Sequence, residues 1–225
     1  MNVGTLYIIA TPIGNLGDLT DRAKRLFSEV DYVAAEDTRQ SLKILRHLEL
    51  EKPIIRADEV FQRKRPETIL EKLLNGQHVA LVTDAGTPGI SDPGSYIVDQ
   101  CYQASIPVCP IPGPSAMTTA LSISGFKVVP FTFFGFIPKK GREKKEMIQT
   151  ITMGPYATCF FESPYRLHKT LNELATHAPD RMVFVCRELT KKFEQTYRGP
   201  LKTISELFSQ KAPKGECTIV VGPLE

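Results

Sequence analysis

The feature that most constrains this chain is a series of short apolar runs, set about 20 to 30 residues apart in the first half, with helical spacing between them. Those runs are residues 5–10, 31–35, 53–55, 78–83 and 107–111. Stretches such as Leu6-Tyr7-Ile8-Ile9-Ala10 and Val79-Ala80-Leu81-Val82 are apolar without alternation, which suits strands buried on both faces. Between them, apolar side chains recur on one helical face, as at Ile69, Leu70, Leu73 and Leu74. Strands alternating with helices read as a parallel α/β sheet, because parallel neighbours need a long crossover that a helix supplies.

After a Pro-rich stretch at 107–114 the pattern resumes with runs at 131–134, 158–161, 182–187, 193–197 and 218–221. Only residues 188–192 separate the third of these from the fourth, too few for a parallel crossover, so an antiparallel hairpin is expected there. The second sheet is therefore mixed, and the fold class is α/β with two domains, 1–112 and 113–225. Charge divides at the same place. The whole chain is net +3, but residues 1–112 carry 12 basic and 15 acidic side chains, whereas residues 113–225 carry 16 and 10. The small overall excess excludes a protein that coats polyanions indiscriminately, and any polyanion is expected to meet the second half.

The five cysteines are an odd number with no C-x-x-C pair, which excludes a zinc knuckle or a dithiol redox couple. Cys159, Cys186 and Cys217 lie inside apolar runs and read as reduced core residues, pointing to the cytosol. No Lys or Arg precedes Arg22, the apolar start is too short for a signal peptide, and no run approaches the roughly 18 to 20 apolar residues of a membrane span. A soluble, cytoplasmic protein without membrane association is expected.

Three loops carry ligand-type chemistry. Thr11-Pro12-Ile13-Gly14-Asn15 follows the first run and leads to a helix through Ala23, Leu26 and Phe27. It is not G-x-G-x-x-G, and it reads either as a ligand loop or as a turn with Asp18 or Thr20 as the helix cap. The loop at 83–94 packs three Gly, two Pro, two Asp and three hydroxyl residues into a connection far longer than a plain strand-to-helix turn. Asp84 at its start is suited to accept a hydrogen bond from a ribose hydroxyl or an ammonium group. Pro110-Ile111-Pro112-Gly113-Pro114-Ser115-Ala116 follows the fifth run, with Pro114 placed for a first helical turn and small Ser115 and Ala116 leaving room for a flat ligand. Parallel strands put their carboxyl ends on one rim, so the three loops are expected to converge.

The ordered tracts 7–16, 34–39, 84–94, 112–114, 160–167 and 187–191, including Ala34-Ala35-Glu36-Asp37-Thr38-Arg39 and Phe160-Phe161-Glu162-Ser163-Pro164-Tyr165-Arg166, resemble the small-subunit ribosomal RNA methyltransferase I family. That family is a branch of the tetrapyrrole methylase superfamily, and the resemblance runs from about Leu6 to Gly222. It implies two α/β domains with S-adenosyl-L-methionine in the cleft between them, a homodimer, and methylation of a cytidine ribose 2′-hydroxyl in the decoding region of small-subunit (16S) ribosomal RNA. Carried over by position, the cofactor contacts are Ile13, Thr83, Asp84, Gly86, Thr87, Ser115, Ala116, Phe161 and Leu189. Two features depart from the family pattern. The tract at 56–65 lacks the His and Asn that members carry after the third strand, and the sequence ends just past its last apolar run, where many members continue.

Methyl transfer to a ribose hydroxyl needs a base or tight in-line alignment, for which Asp37, Glu162, Glu188 and Lys191 are candidates. Glu36-Asp37-Thr38-Arg39 reads either as a helix cap with an ion pair or as a lining of the substrate cleft. Lys139, Lys140 and Arg142 sit in a basic loop entering a helix, either a solvated helix start or a clamp for the RNA backbone. The four His are scattered without metal-site spacing, so no metal is expected. Two other functions stay open on the sequence: a tetrapyrrole or other small-molecule methyltransferase of the same fold, and a non-catalytic protein that senses the cofactor.

Overall fold

The computed structural model describes residues 2–209 and 214–224. The chain divides into two compact units, the first ending at Ser115 and the second opening at Ala116. The expected boundary, Pro112, falls slightly earlier. The Pro-Gly-Pro tract lies in the first unit, where the Thr87 hydroxyl donates to the Pro114 carbonyl (3.4 Å).

In the first unit, β1 (Leu6–Ile9), β2 (Tyr32–Ala35), β3 (Ile54–Arg56), β4 (Val79–Val82) and β5 (Val108–Ile111) fall on the five expected runs. They pair in parallel throughout, in the order β3-β2-β4-β1-β5. The crossovers hold α1 (Asp21–Glu29), α2 (Thr38–His47), α3 (Glu59–Lys64), α4 (Glu67–Leu74) and α5 (Ser95–Gln103). Val33, Ala35, Ala80 and Val82 pack with Leu26, Phe27, Ile44 and Leu45, while Ala34, Val79 and Leu81 pack with Ile69, Leu73, Ile97 and Cys101. Successive strand side chains point to opposite faces and both faces are roofed by helices, so these runs have no polar alternation.

The second unit holds β6 (Phe131–Phe136), β7 (Ala157–Glu162), β8 (Met182–Arg187), β9 (Gln195–Pro200) and β10 (Cys217–Val221), in the order β6-β7-β10-β8-β9. β6 and β7 are parallel and the other pairs antiparallel, a mixed sheet as expected. Its helices are α6 (Ala116–Ile123), α7 (Arg142–Met153), α8 (Pro164–His177) and α9 (Leu201–Leu207). The hairpin forms, but its second strand starts at Gln195 rather than Phe193. The Arg187 guanidinium donates to the Phe193 carbonyl (3.1 Å) and to Gln195 Oε1 (2.7 Å), which keeps Phe193 in the connection. α6 likewise opens at Ala116, so Pro114 precedes the first turn. Phe160, Val183, Val185, Ile219 and Val221 form one core with Ile148, Ile151, Leu167, Leu171 and Leu201.

All five cysteines are free, and burial pushes Cys159, Cys186 and Cys217 up to about 12, which keeps them unreactive thiols. Just before β8, Arg181 is only 7% exposed and donates to five carbonyls: Gly222 (2.8 Å), Ile151 (2.8 Å), Thr152 (3.0 Å), Gly154 (2.9 Å) and Tyr156 (3.2 Å). Among the described residues, no helix is long and apolar enough to cross a membrane.

Candidate functional site

Strand order decides where the three ligand-type loops go. β1 lies between β4 and β5, so the loops leaving their carboxyl ends are neighbours on one rim. Hydrogen bonds lace them together. The Thr11 N–H donates to the Gly86 carbonyl (2.9 Å), the Gly86 N–H donates back to Thr11 (3.0 Å), and the buried Thr11 hydroxyl donates to the Thr83 carbonyl (3.2 Å). Gly86 has φ +84, and a Cβ there would sit 3.6 Å from Ile13 Cγ2 and 3.8 Å from the Pro114 carbonyl oxygen, so this one residue faces all three loops. The expected residues Ile13, Thr83, Asp84, Gly86, Thr87 and Ser115 thus belong to one rim, with Ile13, Thr83 and Gly86 buried and Asp84 exposed. Of the two expected caps for α1, Thr20 fills the role, its hydroxyl accepting from the Ala23 N–H (3.2 Å).

This donor set suits a nucleoside that carries a cationic centre. The Gly86 backbone gives close approach, Ile13 a small apolar contact, and Asp84 a carboxylate for a hydroxyl or ammonium group. Because β2 pairs with β4, Glu36 and Asp37 stand beside that carboxylate. The Asp37 N–H donates to Asp84 Oδ1 (3.1 Å) and the Asp84 N–H to Glu36 Oε2 (3.4 Å). Asp37 is also the cap of α2, accepting from the Arg39 N–H (2.8 Å) and from Arg39 Nη2 (2.6 Å). These bonds hold its carboxyl down to about 2, which makes it a poor proton acceptor at neutral pH.

Glu36 and Asp92 join the rim: sequence reasoning held Glu36 only within a tract that reads as a cap or a cleft lining, and Asp92 only within the 83–94 loop. Burial and then the neighbouring Asp84 raise Glu36, while burial, Glu36 and Asp84 push Asp92 up to about 6. The composition of the 83–94 loop brings Asp92 and Asp84 together in sequence, but the third acid, Glu36, arrives through the β2–β4 pairing, which leaves no local trace. A stability consequence follows. Below the ordinary value of 3.8, Asp92 is protonated whether the chain is folded or not, and as pH rises through about 6 the folded state must hold a charge among like charges. Asp92→Asn is therefore expected to raise the melting temperature by about 2 °C near pH 8 and to leave it unchanged near pH 4, measured by calorimetry at both.

The remaining expected residues lie in the second unit. Ala116 opens α6, Leu189 is buried just after β8, and the Phe161 ring lies 5.1 Å from Phe133 and 5.5 Å from Phe136. Glu162 is fully enclosed. Its carboxylate accepts from the Ser163 N–H (2.7 Å) and the Thr170 hydroxyl (2.7 Å) and pairs with Arg166, so it braces the start of α8. Glu188 Oε1 accepts from Lys191 Nζ (3.0 Å) and the Glu216 N–H (2.9 Å), and Lys191 also reaches Glu216 (2.8 Å). Burial alone would raise Glu188, but these partners hold it below the usual carboxylate range. In the basic run, Lys139 and Lys140 are exposed and Arg142 pairs with Glu146, whereas Lys144 turns inward to pair with Glu173 of α8. Among the described residues, no group of three or more His, Cys, Asp or Glu is placed to hold a metal ion.

Residues 5–205 match the family described as Tetrapyrrole (Corrin/Porphyrin) Methylases. The chain is 44% identical to Ribosomal RNA small subunit methyltransferase I of Synechocystis sp., over 98% of this chain and 80% of that protein. It is 40% identical to the protein of the same name from Thermotoga maritima, over 99% of this chain and 100% of that one. A crystal structure of diphthine synthase superposes with a TM-score of 0.75 at 13% identity, covering 97% of this chain and 90% of that chain, a likeness of fold.

Proposed function

The chain belongs to the tetrapyrrole methylase family and, within it, to the ribosomal RNA small subunit methyltransferases I, and from that premise we propose that it transfers a methyl group from S-adenosylmethionine to small-subunit ribosomal RNA. The observation that carries the reading is the rim at which the loops after β1, β4 and β5 are bonded into one surface. Ile13, Thr83, Asp84, Gly86, Thr87 and Ser115 hold the cofactor there, with Asp84 anchored by the Asp37 N–H and receiving a hydroxyl or ammonium group. S-adenosylmethionine supplies an electrophilic methyl group on a sulfonium centre.

The acceptor is the 2′-hydroxyl of a cytidine in the decoding region, whose oxygen would take the methyl group as the methyl–sulfur bond breaks and S-adenosylhomocysteine leaves, the hydroxyl proton passing to water. Asp37 is held at about 2 by Arg39, and Glu162 and Glu188 are bonded to cations, so in-line alignment contributes more than proton abstraction by these groups. Lys139, Lys140 and Arg142 bind the RNA backbone, and the enzyme acts in the cytoplasm as a homodimer, for which sedimentation at micromolar concentration is the check. The small-molecule and sensor alternatives draw no support from relatives named for ribosomal RNA.

Small ribosomal subunits from cells lacking this modification, incubated with the protein and labelled S-adenosylmethionine, are expected to take label on a single cytidine ribose. Label on a base instead of a ribose would overturn the acceptor, and no label on any subunit would overturn the RNA substrate.

A further inference from the structure

At the rim where β6 and β7 end, the second unit presents aromatic rings that its own core does not use. Tyr165 is 87% exposed and Phe136 is 58% exposed. Neither is a floppy surface residue. The pairing of β6 with β7 shifts register between Phe133 and Phe136, so that Phe133 faces Cys159 but Phe136 faces Phe161, one residue extra on β6. Gly135, at φ +62, supplies the left-handed turn such a bulge needs, and the bulge re-aims the side chain that follows it. Phe136 is then held at a tilt against Phe161, with centroids 5.5 Å apart.

Tyr165 is fixed from the other side. It sits in the first turn of α8 behind Pro164, and that turn is braced by the enclosed Glu162 carboxylate bonded to the Ser163 N–H and paired with Arg166. Arg166 Nη1 also donates to the Ile137 carbonyl (3.0 Å), which ties the turn carrying Tyr165 to the residue that follows Phe136. A few residues further on stand the exposed cations Lys139 and Lys140.

From this arrangement the geometry points to a stacking platform: Tyr165, with Phe136, takes an unpaired base of the ribosomal RNA substrate while Lys139 and Lys140 take the adjoining phosphates. The inference rests on the reading that the substrate is small-subunit ribosomal RNA. Proteins that act on unpaired RNA stack its bases on exposed aromatic rings beside cations that follow the backbone, and every base offers a face to such a ring. The charge favours RNA over a second copy of this chain, because two copies meeting face to face through this patch would set the same lysines against each other. Tyr165 is thus a substrate-positioning residue, and its hydroxyl is dispensable.

The chain contains no Trp, so Tyr165→Trp creates a single fluorescent reporter in the full-length protein. Tyr165→Ala is expected to raise KM for the small subunit about tenfold, with kcat, cofactor affinity and melting temperature unchanged, while Tyr165→Phe keeps the wild-type KM. Fluorescence of the Tyr165→Trp protein is expected to be quenched by a short single-stranded RNA of the decoding-region sequence, and less so as salt rises. Wild-type KM in Tyr165→Ala together with unquenched fluorescence would overturn the platform. A Tyr165→Ala protein that sediments as a smaller species than wild type would assign the patch to a second copy instead. Failure of the RNA reading itself shows separately, as wild-type protein that labels no subunit at all.

Discussion

Arg181→Met is expected to lower the stability of the protein by about 4 kcal/mol, the largest loss foreseen for a side chain remote from the candidate site. The guanidinium has five N–H donors in a rigid fork, and all five are used, on the carbonyls of Ile151, Thr152, Gly154, Tyr156 and Gly222. Three of these oxygens belong to the last turn and exit of α7, where helix carbonyls lack partners along the chain and a cation is favoured by the helix dipole. The other two lie at the entry to β7 and the exit from β10, so one side chain ties α7 to the ends of the inner strands β7, β10 and β8. Met fills similar space but leaves five acceptors without donors, each costing about 1 kcal/mol after water reaches the outermost. Measured against the roughly 5 to 15 kcal/mol that holds a typical domain folded, such a loss is severe. Urea denaturation of the full chain, with amide exchange in β8 and β10 as the local probe, checks it. Arg181→Lys, with three donors, should recover part of the loss, and a wild-type midpoint in the Met variant would mean that water satisfies these carbonyls.

Arg181 also marks where sequence reading stops. In Ala178-Pro179-Asp180-Arg181 it looks like an ordinary surface charge in a polar turn, because its partners are backbone carbonyls, which no residue type advertises. The strands were legible for the opposite reason. Val79-Ala80-Leu81-Val82 and Cys217-Thr218-Ile219-Val220-Val221 are buried along their whole length, and that demand is written directly in residue type. The candidate site falls between these cases. Gly86, Thr87 and Asp84 stand out by composition, whereas the placement of β1 between β4 and β5, which brings their loops together, is a property of strand order and has no local signature. The same holds for Glu36, brought beside Asp84 and Asp92 only because β2 pairs with β4. Glu162 shows the reverse relation. A carboxylate in a conspicuous tract reads as a reacting group, yet Arg166 and Thr170 lie one and two helical turns along α8 and enclose it.

Gly86→Val is expected to weaken S-adenosylmethionine binding at least a hundredfold, which corresponds to about 3 kcal/mol. Two effects combine at this position, and a second variant separates them. At φ +84 any side chain strains the backbone by about 1 to 2 kcal/mol, so Gly86→Ala should cost that much stability while fitting the space, since its Cβ meets Ile13 Cγ2 and the Pro114 oxygen only at ordinary contact distances of 3.6 and 3.8 Å. Val adds two methyl groups to the same Cβ and fills the gap where the three loops meet. The Thr11–Gly86 bridge itself uses only N–H and C=O groups, which Val also carries, so the rim should stay joined, but a β-branched side chain tolerates a positive φ less well than Ala and the melting temperature should fall further than in the Ala variant. Calorimetric titration of both variants with S-adenosylmethionine, beside their melting curves, distinguishes the outcomes. Binding that falls modestly in Ala and collapses in Val, with both variants fully folded at the titration temperature, places the cofactor against Gly86. Wild-type affinity in a folded Val variant would take Gly86 out of the site and, with it, the convergence of loops on which the first unit's role in binding rests.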